Sequence, residues 1–242
     1  MLSRLGHLFF RTRNGLFPLL LVIVCGVFLP VPLDRAGAPW LIGGLLVLLA
    51  GQGLRVVTIG LDYIQRGGRD GRIHAERLVT GGVFALCRNP MYTGNVLMVL
   101  GFFLLTGNPA GVVVGALMGG FVYRAIIAAE EGFLIRQFGE AYLDYCRDVP
   151  RWIPAPVALL QVAGGHRFDW AAVVLREYGT LFTTVLIAGA LVAVRALEAD
   201  RLMAMAPALV AVLLLAAAGW AVARFLKKSR RLKPGRKRVS RA

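Results

Sequence analysis

Acidic side chains are scarce in this sequence: 13 Asp and Glu in 242 residues, against 28 Lys and Arg. Charged residues make up 17% of the chain, where an ordinary soluble domain carries about 25%. With 57% hydrophobic residues gathered into long runs, that deficit argues against a soluble globular enzyme. The same figures exclude a disordered chain, because there is ample apolar surface to offset the entropy of ordering. Cysteine and histidine are nearly as scarce, at three residues each. Cys25, Cys87 and Cys146 match neither a disulfide framework nor a zinc pattern, so they read as small apolar residues and no metal centre is expected. Gly67-Gly68-Arg69-Asp70-Gly71 lacks the strand and helix that a phosphate loop needs, and reads as a flexible inner loop.

What is present in quantity is apolar run and basic charge. A membrane span needs about 20 mostly apolar residues. The runs Leu16–Leu33, Trp40–Leu61, Pro90–Thr106, Pro109–Ala128, Thr180–Val194 and Leu202–Phe225 give an all-α integral membrane protein with about six transmembrane helices. With the N-terminus inside, almost every Lys and Arg falls on the inner side and only Arg35, Arg195 and Arg201 fall outside. Cytoplasmic loops carry the basic excess, so both termini are expected in the cytoplasm, with Arg55 snorkelling from span two. The outer loops are short. The inner segments Asp62–Asn89 and Ala129–Gly179 are long and hold the polar chemistry, so an active site should face the cytoplasm, in a plasma or inner membrane. Gly111, Gly115 and Gly119 form a ridge for close helix packing. Arg167–Tyr178 reads as an interfacial helix capped by Asp169. The basic tail from Lys227 lacks the aromatics of a nucleic-acid binder and is read as an anchor for anionic lipid headgroups.

Two inner segments carry chemistry. In Arg88-Asn89-Pro90-Met91-Tyr92, Asn is a favoured helix cap and Pro a favoured first residue. The helix should start at Pro90, with its free N–H groups beside Arg88 as a seat for an anion. In Tyr123-Arg124-Ala125-Ile126-Ile127-Ala128-Ala129-Glu130-Glu131, a step of about 100° per residue puts Glu131 on the face of Arg124, and Glu130 on that of Tyr123 and Ile127. Glu131 is therefore expected to pair with Arg124, leaving Glu130 for a cationic or hydroxylated ligand group. Together the two clusters suit a ligand with an anionic part and a cationic or hydroxylated part. S-adenosylmethionine is one such molecule, although the physics alone does not single it out.

The run Leu78–Gly94, the Asn108-Pro109 turn, Glu130-Glu131, Leu134–Tyr145 and Val149-Pro150 resemble the isoprenylcysteine carboxyl methyltransferase family, and related motifs occur in membrane phospholipid methyltransferases. The resemblance covers about Arg72–Pro154. It implies a membrane methyltransferase without a Rossmann fold, with S-adenosylmethionine enclosed near the cytoplasmic interface and a small hydrophobic or lipid-like acceptor entering from the bilayer. Cofactor contacts carried over by position, with Arg88 added for its charge, are Glu76, Arg77, Leu78, Val79, Phe84, Arg88, Asn89, Pro90, Met91, Tyr92 and Glu130. Catalytic roles fall on Arg124 and Tyr92. The family commonly has His at the position of Asn89, and its eukaryotic enzymes have Arg at that of Ile126.

The expected organisation is a two-helix membrane hairpin and inner loop over 1–71 and a methyltransferase-like core over 72–154. An interfacial helix with two extra transmembrane helices follows over 155–226, then a basic tail over 227–242. The expected function is S-adenosylmethionine-dependent methyl transfer to a lipid-like acceptor, with phospholipid N-methylation as the nearest alternative. Outside that class stand a non-catalytic scaffold or transporter, which should show charges deep in several spans, and a membrane reductase using NADPH.

Overall fold

The computed structural model describes residues 2–62, 74, 75, 77–152 and 168–232. Regular structure among them is entirely helical: α1 (Leu2–Val27), α2 (Leu33–Asp62), a 3-10 turn (Gly82–Ala85), α3 (Pro90–Leu105), α4 (Pro109–Phe138), α5 (Glu140–Asp148), α6 (Trp170–Glu198) and α7 (Leu202–Lys228). With no strand among the described residues there is no Rossmann sheet, as expected. The helices neighbour one another in the order α1, α4, α3, α2, α6, α7. Consecutive elements therefore pack side by side except where α4 returns to α1 and α6 to α2.

α2, α4, α6 and α7 are each long and apolar enough to cross a membrane. α1 adds a fifth span only as a bent pair, Leu2–Arg13 and Gly15–Val27, turned by 91°. α3 has 16 residues and measures about 24 Å at 1.5 Å per residue, short of the ~30 Å hydrocarbon core. Its short length is tolerable because it is sheltered between α2 and α4. All six runs are thus helical, while length and composition support four or five crossings.

Several boundaries differ from expectation: α2 starts at Leu33 rather than Trp40, and α4 runs on to Phe138 past Ala128. α1 starts at Leu2 and stops at Val27 rather than spanning Leu16–Leu33. The expected interfacial helix and the fifth span are one continuous helix, α6, because the chain between Tyr178 and Thr180 contains only Gly179, which is tolerated inside a helix. The start is capped as expected: Asp169 accepts a hydrogen bond from the Ala172 N–H at 2.9 Å.

Small residues bring the core helices together. A Cβ on Gly51 of α2 would fall 2.6 Å from the Gly94 carbonyl oxygen of α3, and one on Gly101 would fall 3.0 Å from the Gly44 carbonyl oxygen. Side chains cannot occupy that space, so this seam depends on glycine. The α4 ridge does the same on the other side of α3: Gly115 lies under the Phe103 ring and Gly119 under Val99. Helix packing is therefore the role of the ridge.

Charge inside the bundle is the largest departure from the sequence reading. Arg55 is buried in α2 rather than snorkelling, and its guanidinium bonds both carboxylate oxygens of Glu177 on α6. The same Arg55 donates to Asn95 Oδ1, and Gln52 Nε2 donates to Glu177 Oε2 at 2.8 Å. At the opposite end Arg195, assigned to an outer loop, is fully buried and donates to the Val31 and Leu105 carbonyls at 2.7 and 2.8 Å. A guanidinium in hydrocarbon needs acceptors, and Arg195 takes them from the backbone of the α1–α2 connection and of the last residue of α3.

Candidate functional site

The site lies where α3 begins and α4 leaves the apolar bundle. Tyr92 is in the first turn of α3, and its hydroxyl donates to Glu130 Oε1 at 2.8 Å. Both side chains are buried, Glu130 at 5% exposure. Tyr92 packs with Phe10, Val122, Tyr123, Ile126 and Ile127, so the carboxylate borders an apolar wall. A buried carboxylate needs hydrogen bonds or a counter-charge. Among the described residues Glu130 has this single phenolic donor, to Oε1.

Glu131 is built differently. Its carboxylate is gripped by Arg151, with Nε at 3.1 Å and Nη2 at 2.8 Å, and Arg88 Nη1 stands 3.6 Å away. The expected pairing with Arg124 does not form: Arg124 is exposed. The 100° rule placed the two acids on separate faces correctly. It did not include Arg151, twenty residues downstream, whose two-point grip outcompetes a neighbour on the same helix.

Arg151 belongs to a strap, Pro150–Trp152, that lies across the start of α3. The Arg88 N–H donates to the Pro150 carbonyl at 2.9 Å, Asn89 Nδ2 to the Arg151 carbonyl at 3.2 Å, and the Thr93 hydroxyl to the Trp152 carbonyl at 2.8 Å. The Cys87 thiol also donates to the Trp152 carbonyl, at 3.0 Å. Burial pushes that thiol up from its ordinary value, outweighing the opposing pull of the Asn89 backbone, the Thr93 hydroxyl and the Arg88 charge. Cys87 is therefore a neutral donor and no nucleophile.

Asn89 occupies the cap position of α3, but its side chain makes no capping hydrogen bond. That corrects the sequence reading: the amide is spent on the strap. The first N–H groups of a helix have no intrahelical partner, so the Met91 N–H lies at the start of α3, close to Arg88 in the chain.

The segment before α3 is pinned by the far end of α4 and by α5. Gln137 Nε2 donates to the Ala75 carbonyl at 2.7 Å, and the Tyr145 hydroxyl to the Phe84 carbonyl at 2.6 Å. Gly139, at φ +54, makes the turn that folds α5 back. Tyr142 and Tyr145 are then buried with Ala75, Leu134 and Val149. Of the expected contacts, Val79 and Phe84 form a buried pair, Leu78 is half-buried and Arg77 is exposed. Glu76 lies outside the described residues. Gln137, Tyr145, Cys87, Thr93 and Arg151 were given no role from sequence. All but Arg151 fall inside the quoted motifs, so the motif itself was the available signal.

Compared with known proteins, residues 40–141 match the phospholipid methyltransferase family. The chain is similar to protein-S-isoprenylcysteine O-methyltransferase of Rattus norvegicus, 38% identical over 117 residues that cover 46% of this chain and 40% of that protein. It is also similar to cobalt-zinc-cadmium resistance protein CzcN of Cupriavidus metallidurans, 32% identical over 123 residues, 50% of this chain and 54% of the other. A third relative is protein-S-isoprenylcysteine O-methyltransferase B of Arabidopsis thaliana, 28% identical over 46% of this chain and 57% of that protein. The chain thus spans about half the length of the curated relatives it matches. No solved structure matches it. The resemblance to the isoprenylcysteine carboxyl methyltransferase family is supported by both kinds of match, and residues 40–141 include the Tyr92–Glu130 pair.

Proposed function

We propose that the protein is a membrane methyltransferase that uses S-adenosylmethionine and methylates a small hydrophobic or lipid-like acceptor, as an isoprenylcysteine carboxyl O-methyltransferase does. The observation that carries this reading is the buried Glu130 carboxylate. Among the described residues it is held by Tyr92, inside the family-matched segment and at the start of α3. The donor set suits the cofactor: Glu130 Oε2 can accept from a hydroxyl or ammonium, while the Met91 and Tyr92 N–H groups and Arg88 can receive a carboxylate. When bound, S-adenosylmethionine supplies a methyl group carried on a sulfonium.

The chain's own contribution is then alignment and dryness. Tyr92 orients Glu130, the Pro150–Trp152 strap fixes the start of α3, and the aromatic wall excludes water. Tyr92 is assigned a positioning role. Arg124, being exposed, is not placed to touch the Tyr92–Glu130 pair. The basic excess at this end of the bundle supports a cytoplasm-facing site, and the basic tail supports a contact with anionic headgroups.

Solubilised protein should bind S-adenosylmethionine and not NADPH, and should transfer labelled methyl to an S-isoprenyl cysteine derivative. NADPH binding without S-adenosylmethionine binding would overturn the reading. The matched phospholipid methyltransferase family favours a second reading, N-methylation of a phospholipid. Label appearing in ethanolamine lipid rather than in the cysteine derivative would select it.

A further inference from the structure

The end of the bundle at which α6 starts and α7 stops gathers features that the opposite end of this helix pair lacks. Every aromatic of the two helices lies in the half near it: Trp170, Tyr178 and Phe182 on α6, Trp220 and Phe225 on α7. Aromatic belts mark both membrane–water interfaces, so a belt does not account for five rings at one end of the pair and none at the other. The cations are as lopsided. Arg195, the one basic residue in the opposite halves, is buried and spent on backbone carbonyls.

Tyr178 and Trp220 stand at one level, each about 12 Å in from its helix end. Their ring centroids are 6.4 Å apart, and the Phe182 ring lies 5.7 Å from that of Trp220. All three are half-buried and line the seam between the helices. Two exposed cations stand at its end: Arg224 lies over the Trp220 ring at 5.1 Å, and Lys227 of α7 reaches the Tyr178 ring of α6 at 5.2 Å. Among the described residues no carboxylate pairs with either. Glu177, beside Tyr178 in sequence, is buried and taken up by Arg55 of α2. A cation on a ring face is held in place by the ring quadrupole and keeps donors for an anion.

The seam is open to the bilayer, because the spanning window of α7 buries none of its residues inside the bundle. Rings along such a seam with a cation pair at its mouth suit a molecule with an acyl chain and a phosphate. Two uncompensated cations favour a net anionic headgroup over a zwitterionic one. Neither helix falls within residues 40–141, the segment matched to the family. α6 also stands between α7 and the helices that carry Tyr92 and Glu130, so a lipid here is distinct from a methyl acceptor at that pair.

We propose that the α6–α7 seam binds one anionic phospholipid, with an acyl chain along Phe182 and Trp220 and the phosphate on Arg224 and Lys227. The seat goes beyond methyl transfer and beyond a diffuse headgroup contact of the basic tail, since it needs neither. The test uses the full chain in detergent, titrated with phosphatidylglycerol and with phosphatidylcholine of the same acyl composition, and counts bound lipids by native mass spectrometry. One phosphatidylglycerol should be retained at least tenfold more tightly than phosphatidylcholine. Arg224→Gln with Lys227→Gln should remove that preference, two basic residues at a membrane surface being worth about tenfold or more. The exchange Arg224→Lys with Lys227→Arg should keep most of it. Lys228→Gln with Arg230→Gln, the same loss of charge just past the seam, should keep most of it too. Trp220→Leu should weaken phosphatidylglycerol at least fivefold.

Equal retention of the two lipids, or equal loss in both Gln double variants, would overturn the seat: the first removes the selectivity for charge, and the second reduces it to a diffuse surface field. A phosphatidylglycerol affinity untouched by Trp220→Leu would overturn the place of the acyl chain. Phosphatidylglycerol bound as expected by protein that does not bind S-adenosylmethionine would sink the proposed function and leave the seat standing. Methyl transfer without lipid selectivity would do the reverse.

Discussion

Two buried glutamates, Glu130 and Glu177, sit in opposite electrostatic circumstances. Glu177 takes two guanidinium donors from Arg55 and an amide from Gln52, so both of its oxygens are occupied. Glu130 takes one phenolic proton from Tyr92 and, among the described residues, nothing else. A fully satisfied buried network rigidifies and specifies packing, whereas a half-satisfied one costs stability unless something else completes it. The first therefore reads as the lock between α2, α3 and α6, and the second is the position proposed to meet a ligand.

The largest effect should come from breaking the saturated network. Arg55→Met leaves Glu177 buried without its counter-charge and should cost about 3–5 kcal/mol, measured as thermal or denaturant unfolding in detergent. Adding Glu177→Leu removes the orphan and should restore most of the loss. A single substitution costing under about 1 kcal/mol would mean that water already reaches Glu177, and the contrast with Glu130 would fail.

Glu130→Gln should show the inverse pattern. Folding stability should change little, because the amide oxygen still accepts from Tyr92. Affinity for S-adenosylmethionine should fall by about 1.5–3 kcal/mol, the range for hydrogen bonds to a charged group, or roughly 10- to 150-fold. Tyr92→Phe should cost less, about 1 kcal/mol of binding, because it loosens the carboxylate without removing it. A Glu130→Gln variant with wild-type affinity in a titration would end the ligand assignment.

Much of this contrast was legible in the sequence on one side only. The separation of Glu130 from Glu131 follows from helical geometry within α4, and so does the wall of Tyr123 and Ile127 beside Glu130. The cap at Asp169 was readable too, because it is a contact across three residues, its Oδ1 accepting from the Ala172 N–H at 2.9 Å; the one expected at Asn89 was lost to the strap. What failed was every pairing across elements. Arg55 meets Glu177 across 122 positions, and Arg151, beyond α5, meets Glu131 of α4. Periodicity reports which face a residue occupies and carries no information on which helix covers that face.

The strap gives a smaller effect. Arg151→Gln removes both bonds to Glu131, but the Arg151 side chain is 38% exposed and Arg88 stays nearby. The loss should be about 1 kcal/mol, as for other partly solvated pairs. Hydrogen exchange at the Arg88 amide, which is bonded to the Pro150 carbonyl, should quicken. Exchange around Glu177 should not change, and if it did the two clusters would be one network.

The smallest effect separates two uses of the same dipeptide. Asn108-Pro109 and Asn89-Pro90 each open a helix, yet only Asn108 caps with its side chain, while Asn89 donates Nδ2 to the Arg151 carbonyl. Asn89→Ala should cost about 1 kcal/mol, the net value of one hydrogen bond. Asn108→Ala should cost about the same through loss of its cap, so the magnitudes do not distinguish them. The location of the damage does. For Asn89→Ala, faster exchange is expected at the Arg88 amide under the strap, with the Met91 and Tyr92 amides unchanged. For Asn108→Ala it is expected at Ala110 and Gly111, the amides it caps. Asn89→Asp is the sharper probe, because a carboxylate would set a negative oxygen against the Arg151 carbonyl and beside the helix start proposed to receive the cofactor's carboxylate. It should therefore loosen the strap and weaken S-adenosylmethionine together. Faster exchange at Met91 and Tyr92 in Asn89→Ala, with a quiet Arg88, would show that Asn89 caps α3 in solution and that the strap is held by Thr93 and Cys87 without it.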